Sequence, residues 1–152
     1  PDKVASVALI GSAGLGNEVN AGYTERFVAA QSRRELKLVV EQLFADANLV
    51  TRQMLEDLLK YKRFDGVTEL LTELRGSLFG NGRQSELPGQ QLGETGKPVL
   101  VVWGREDRVI PAQHAGNAPR GATVQVIEGS GHMVQMEKAN EVNILLKKHI
   151  AG

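Results

Sequence analysis

The stretch "PVLVVWGREDRVIP" (residues 98–111) runs an unbroken apolar segment into a glycine and then a carboxylate, Asp107. Val99 to Trp103 show no alternation with polar residues. A short run of this kind, rich in valine, fits a strand buried on both faces, as in a parallel sheet covered by helices. Further on, "ATVQVIEGSGHMVQME" (122–137) repeats the arrangement: an apolar strand, a glycine-rich turn, and in the turn a histidine, His132. Upstream, "KVASVALIGSAG" (3–14) reads as another buried strand ending in a glycine-rich loop. On strands 98–104 and 122–129, Val124, Val126 and Ile127 are expected to point inward with the valines of the first.

Between strands 3–14 and 98–104 the period changes. Leu36, Val39, Val40 and Leu43 recur at helical spacing, as do Leu55, Leu58 and Leu59, and then Val67, Leu70, Leu71, Leu74 and Leu78. Thr24, Thr51 and Asp65 stand where N-caps are useful. Residues 80–97 are rich in glycine and polar side chains and read as a connection. Pro111 suits the first position of a short helix, and Val142, Leu145, Leu146 and Ile150 mark a terminal one. The order is strand, helical block, strand, helix, strand, helix. That alternation predicts an α/β fold with three parallel strands.

The 152 residues amount to one domain by length, and 41% hydrophobic residues suffice for a core. Eighteen basic residues balance eighteen acidic ones, so no nucleic-acid partner is expected. No apolar run approaches the roughly 20 residues of a membrane span, so no membrane partner is expected either. The absence of cysteine removes disulfides, thiolate nucleophiles and cysteine metal sites, and fits a cytoplasmic setting. No signal peptide is recognisable in "PDKVASVALI". Strand sequence begins almost at once and without methionine, so further sequence upstream is expected.

In doubly wound sheets functional groups gather beyond the carboxyl ends of the strands. Asp107 and His132 both stand there, each after its own strand. A carboxylate on the imidazole Nδ1–H fixes the tautomer and stabilises the imidazolium, while the other ring nitrogen takes a proton from a hydroxyl. Glu106 reads as solvated, and His114 and His149 as ordinary surface or boundary residues. The three histidines are too scattered for a metal site, and no cofactor is indicated.

Here a resemblance becomes specific. "PVLVVWGREDRVIP" followed by "VIEGSGHMVQMEKANEVNILLKKHI" resembles the end of the α/β-hydrolase superfamily fold. There a strand ending in Gly-x-x-Asp delivers the acid, a later glycine-histidine turn delivers the base, and the chain order is serine, acid, histidine. The resemblance puts the acid on Asp107 and the base on His132. It implies a partial α/β-hydrolase fold in which residues 1–20 and 86–152 form the C-terminal part of the core. Residues 21–85 would form a helical cap. "ANLVTRQMLEDLLKYKRFDGVTELL" (47–71) and "NGRQ" (81–84) are similar to the hydrolase-like C-terminal domain of acetoin dehydrogenase dihydrolipoamide acetyltransferase (E2) proteins. The usual lipoamide acetyltransferase motif, His-x-x-x-Asp-Gly, is absent: "MVQM" follows His132 and "AGNA" follows His114. No lipoyl module is visible.

The superfamily's Gly-x-Ser-x-Gly nucleophile turn is absent too. The nearest stretch is "LIGSAG", but Ile10 stands where the leading glycine belongs, and Ser12 falls one strand late by the family register. Ser130 reads as part of the histidine turn. The expectation is a C-terminal fragment of a serine-dependent acyl hydrolase or acyltransferase, carrying acid and histidine, lacking the nucleophile and inactive alone. Its parent's substrate would be a small acyl ester or thioester. Met133 is a candidate for the substrate wall; Tyr23, Phe27, Phe44, Met54 and Phe79 could line a pocket, though core packing is their commoner fate. Strand 4–10 would expose an unpartnered edge, so homo-oligomerisation through it or through the cap helices is expected, unless the missing N-terminal half covers it. An alternative is a non-catalytic assembly domain of a multienzyme complex. A nucleotide-binding reading of "GSAGLG" (11–16) fails, since its glycine spacing is wrong and no acid follows a second strand at the needed distance.

Overall fold

The computed structural model describes residues 3–152, apart from the side chain of Gln90. Pro1 and Asp2, which the core segment 1–20 includes, lie outside them. Strand β1 (Val7–Ile10) is followed by helices α1 (Ala21–Ala29), α2 (Arg33–Val40), α3 (Arg52–Lys62) and α4 (Val67–Leu78). Then come β2 (Val99–Gly104), a 3-10 turn over Ala112–Asn117, β3 (Thr123–Ile127), and helices α5 (Val134–Glu137) and α6 (Ala139–Ala151). Among the described residues the strands form one sheet in the order β1-β2-β3. Val7–Ile10 pair in parallel with Val99–Val102, and Leu100–Gly104 with Thr123–Ile127. All three strands therefore end at the same edge, and their following loops converge there.

Strand β2 is buried at every position, as its unbroken apolar run demands. The pleat divides its side chains between two cores. Val99, Val101 and Trp103 pack with Leu15, Val109 and Ile110 on one face. Leu100 and Val102 pack with Ile127, Val134 and Val142 on the other. A third cluster joins α2 to α3 through Leu36, Val40, Phe44, Leu55 and Leu59. Leu43 packs against both the first and the third cluster, and Met133 against the third. The helical block thus has its own core, joined to the sheet near the histidine loop.

The helix boundaries follow local chemistry. Ser32 and Glu35 form a reciprocal capping box on α2, and the Thr51 hydroxyl accepts the Met54 N–H at the start of α3. Two expected caps differ. Thr24 lies inside α1, whose cap is Asn20, and α4 starts after Gly66 at φ 79° rather than on Asp65. The C-terminus of α1 is closed by Lys62 of α3, whose Nζ donates to the carbonyls of Phe27 (2.7 Å) and Val28 (3.1 Å). Burial holds its pKa below the usual lysine range.

The strands are shorter than the apolar runs suggest, because pairing stops where β2 stops. Val124 is exposed, contrary to its expected inward direction, because β3 is an edge strand whose opening residues no helix covers. Among the described residues no helix is long and apolar enough to cross a membrane.

Candidate active site

The acid loop and the histidine loop cross at Gly104. A Cβ there would stand 2.0 Å from the Gly131 carbonyl oxygen and 2.5 Å from that of Ser130, so a side chain would force the loops apart. Glu106 locks the crossing from both ends. Its backbone N–H donates to the Ser130 oxygen (3.0 Å), and its carboxylate accepts the Ser130 N–H (2.9 Å). Glu106 is therefore half-buried and structural, not solvated as its sequence position suggests.

The crossing brings Asp107 to His132. The Asp107 side chain is fully buried, and its Oδ2 lies 2.8 Å from His132 Nδ1. The same oxygen accepts the Trp103 indole N–H at 2.9 Å. Oδ1 accepts the backbone N–H groups of Val109 (2.8 Å) and Ile110 (2.9 Å). A buried charge is tolerable when its lone pairs are satisfied, and here both oxygens are engaged. A carboxylate can only accept, so Nδ1 of His132 carries the proton and Nε2 presents a lone pair. The His132 side chain is 22% exposed and makes no other hydrogen bond among the described residues. Imidazole so held can take a proton on Nε2 and pass it on.

The loop after β1 runs beside the ring. Gly11 has φ +52°, and a Cβ on it would stand 3.1 Å from the His132 oxygen and 3.5 Å from Nδ1. Tyr23 of α1 packs against the β2 core. Burial, with the Asp107 charge second, raises its pKa to about 12. Neither serine near the site is paired with the histidine. The Ser12 hydroxyl donates to the Ala13 oxygen (2.9 Å), and the buried Ser130 hydroxyl to that of Ile127 (2.9 Å). Met133 follows His132 with its side chain against the helical cluster. Phe27, Phe44 and Met54 belong to that same cluster.

His114 is not a surface residue. It is 3% exposed, with Nε2 2.7 Å from a Glu18 carboxylate oxygen and its ring edge-to-face on Trp103 at 6.3 Å. The physical reason is Gly16: a Cβ there would stand 2.5 Å from the ring, so the glycine opens the space the imidazole fills. The His114 hydrogen bond holds the Glu18 carboxyl below its usual pKa. Glu106 and Glu18 carried no visible signal in the sequence, since their partners lie 24 and 96 residues away, and Trp103 reads there only as an apolar strand residue. No group of His, Asp and Glu that could hold a metal ion occurs among the described residues.

A family model for the alpha/beta hydrolase fold matches residues 1–139. Over all 152 residues the chain is 66% identical to the dihydrolipoyllysine-residue acetyltransferase component of the acetoin cleaving system of Cupriavidus necator, covering 41% of that protein. It is 50% identical to the corresponding Pseudomonas putida component over 98% of its own length and 40% of the relative's. The chain therefore spans well under half the length of these relatives. Among solved structures it superposes on the meta-cleavage product hydrolase CumD from Pseudomonas fluorescens IP01 with a TM-score of 0.81. That match is 21% identical and covers 98% of this chain and 56% of the other.

Proposed function

The chain belongs to the alpha/beta hydrolase fold family, and on that premise we propose that it is the acid-and-histidine part of a serine-dependent acyl hydrolase or acyltransferase. The observation that carries the reading is the Asp107–His132 contact of 2.8 Å, with the carboxylate buried and the imidazole partly exposed. In this reading a serine hydroxyl from outside the described residues gives its proton to His132 Nε2 as its oxygen bonds to a substrate acyl carbon. Asp107 stabilises the imidazolium. The proton then passes from Nε2 to the leaving alcohol or thiol as the bond to the acyl carbon breaks. In the second half the histidine deprotonates water or another acceptor, which takes the acyl group and releases the serine.

The names of the relatives favour a small acyl thioester as donor class, with an ester as the simplest surrogate. In the same reading residues 21–85 roof the site as a cap, and Met133 forms part of its wall. The two serines beside the site, Ser12 and Ser130, are engaged with backbone oxygens rather than with His132, which supports reading the isolated chain as inactive.

The test is the intact mass after incubation with a fluorophosphonate. The isolated chain is expected to stay at 16.5 kDa without adduct. A longer parent containing the sequence upstream of this one is expected to take up one equivalent, lost on His132→Ala. An adduct on the isolated chain overturns the fragment reading. No adduct on the longer parent favours a non-catalytic assembly role.

A further inference from the structure

Asp107 fixes one nitrogen of His132, but a ring held at one atom can still swing, and its backbone must be held as well. From the contacts around that backbone we infer that Glu137 is the positioning residue for His132, and that it clamps the helical block onto the histidine loop. The inference rests on the reading of Asp107 and His132 as a proton relay.

Glu137 ends α5, five residues after His132, and its carboxylate turns back across the loop. Oε2 accepts the Gly131 N–H at 2.5 Å. Oε1 accepts the N–H groups of Ala45 (2.9 Å) and Asp46 (3.1 Å), which follow α2 in the helical block. On the other side of the histidine, the Met133 N–H donates to the Leu43 oxygen at 3.0 Å. Both residues flanking His132 are thus tied to the same turn, Leu43–Asp46. The backbones approach so closely that a Cβ on Gly131 would stand 2.8 Å from the Leu43 oxygen and 2.9 Å from the Ala45 nitrogen. Leu43 and Met133 continue the tie as packing, since Leu43 reaches both the sheet core and the helical cluster.

Hydrogen bonds to an ionised acceptor are roughly twice as strong as neutral ones, and here one carboxylate receives three backbone donors. The turn 43–46 cannot move away from the sheet without pulling on the Gly131–Met133 backbone. A displacement of the helical block is therefore felt at the imidazole, where about 1 Å of misplacement can cost on the order of 100-fold in rate.

The test is NMR of the 15N-labelled chain, because it needs no turnover. The unmodified chain is expected to show the Nδ1–H tautomer of His132. Glu137→Gln keeps the shape but turns an amide N–H₂ toward backbone donors. It is expected to shift His132 to mixed tautomers and to speed hydrogen exchange at Gly131, Ala45 and Asp46 at least about tenfold, the loss of about 1.4 kcal/mol of protection. The buried His114 signals are expected to stay unchanged. An unaltered His132 tautomer and unaltered exchange in Glu137→Gln overturn the role of Glu137 and leave the relay standing. A His132 that shows no Nδ1–H preference in the unmodified chain overturns both. If Glu137→Gln does not fold, exchange in the unmodified chain still decides: the three amides must open together with one protection factor, and unequal factors overturn the clamp.

Discussion

At the scale of single residues, the arrangement turns on what a buried carboxylate accepts. Asp107 takes the indole of Trp103, two backbone donors and the imidazole. Asp107→Asn would point its N–H₂ at one or more of these donors, leaving buried groups unsatisfied at a cost of about 2 kcal/mol. The urea midpoint is expected to fall with unchanged slope. His132→Ala, at a partly exposed ring, is expected to cost less than half as much. Tyr23 sets an alkaline limit. Its pKa is raised to about 12 in the folded chain, chiefly by burial, against 10.0 for the free side chain. The folded state therefore keeps a proton that the unfolded chain loses, and the associated stability is present below pH 10.0 and lost as pH rises toward about 12. A shift of that size corresponds to roughly 3 kcal/mol. Tyr23→Phe is expected to flatten the decline of stability over that window, read from denaturation midpoints against pH. Asp107 and His132 stood out in the sequence as candidates because each follows a strand and a glycine, and the structure places them in contact. Glu106 and Glu137 did not, since a glutamate before a turn reads as solvated until the loop that it bonds is in place, and the indole of Trp103 reads only as strand core.

At the scale of elements, the helices were legible by period and the caps only in part. Ser32 and Glu35 sit at the spacing of a capping box and hold the start of α2, whose Leu36, Val39 and Val40 are buried. Ser32→Ala is expected to lower stability by about 1 kcal/mol. The measurement is thermal unfolding, with loss of protection at the first amides of α2. The cap of α1 went to Asn20 because that residue also ties the helix to the acid loop. Its N–H donates to the Val109 oxygen (2.8 Å) and its side-chain amide to that of Arg108 (2.9 Å). Thr24 offers a hydroxyl of the right type but no such second contact, and it donates to the Ala21 oxygen instead. Cap chemistry in the sequence marks that a helix begins; which residue begins it depends on where the chain is anchored.

At the scale of the whole molecule, β1 pairs with β2 along one edge and has no strand on its other edge among the described residues. Such an edge is a template for pairing. In the isolated chain, where no upstream half covers this edge, a second copy is proposed to pair there or through the helices 21–85, and sedimentation equilibrium is expected to give twice the 16.5 kDa of one chain. A single species of one chain mass would sink that proposal. The sequence by itself determined the parallel α/β class and the helical block between β1 and β2, and it singled out Asp107 and His132 as candidates. These are local signals: an apolar run, a helical period, a glycine beside a functional side chain. Only the tertiary structure decided that Asp107 and His132 meet, 25 residues apart in the chain, with Glu106 and Gly104 permitting the crossing. It also decided that Glu137 joins the helical block to the histidine loop across 92 residues. Contacts of that range leave no periodic trace, because a carboxylate or a glycine has the same local preferences whether or not its distant partner exists, and packing alone brings the partners together.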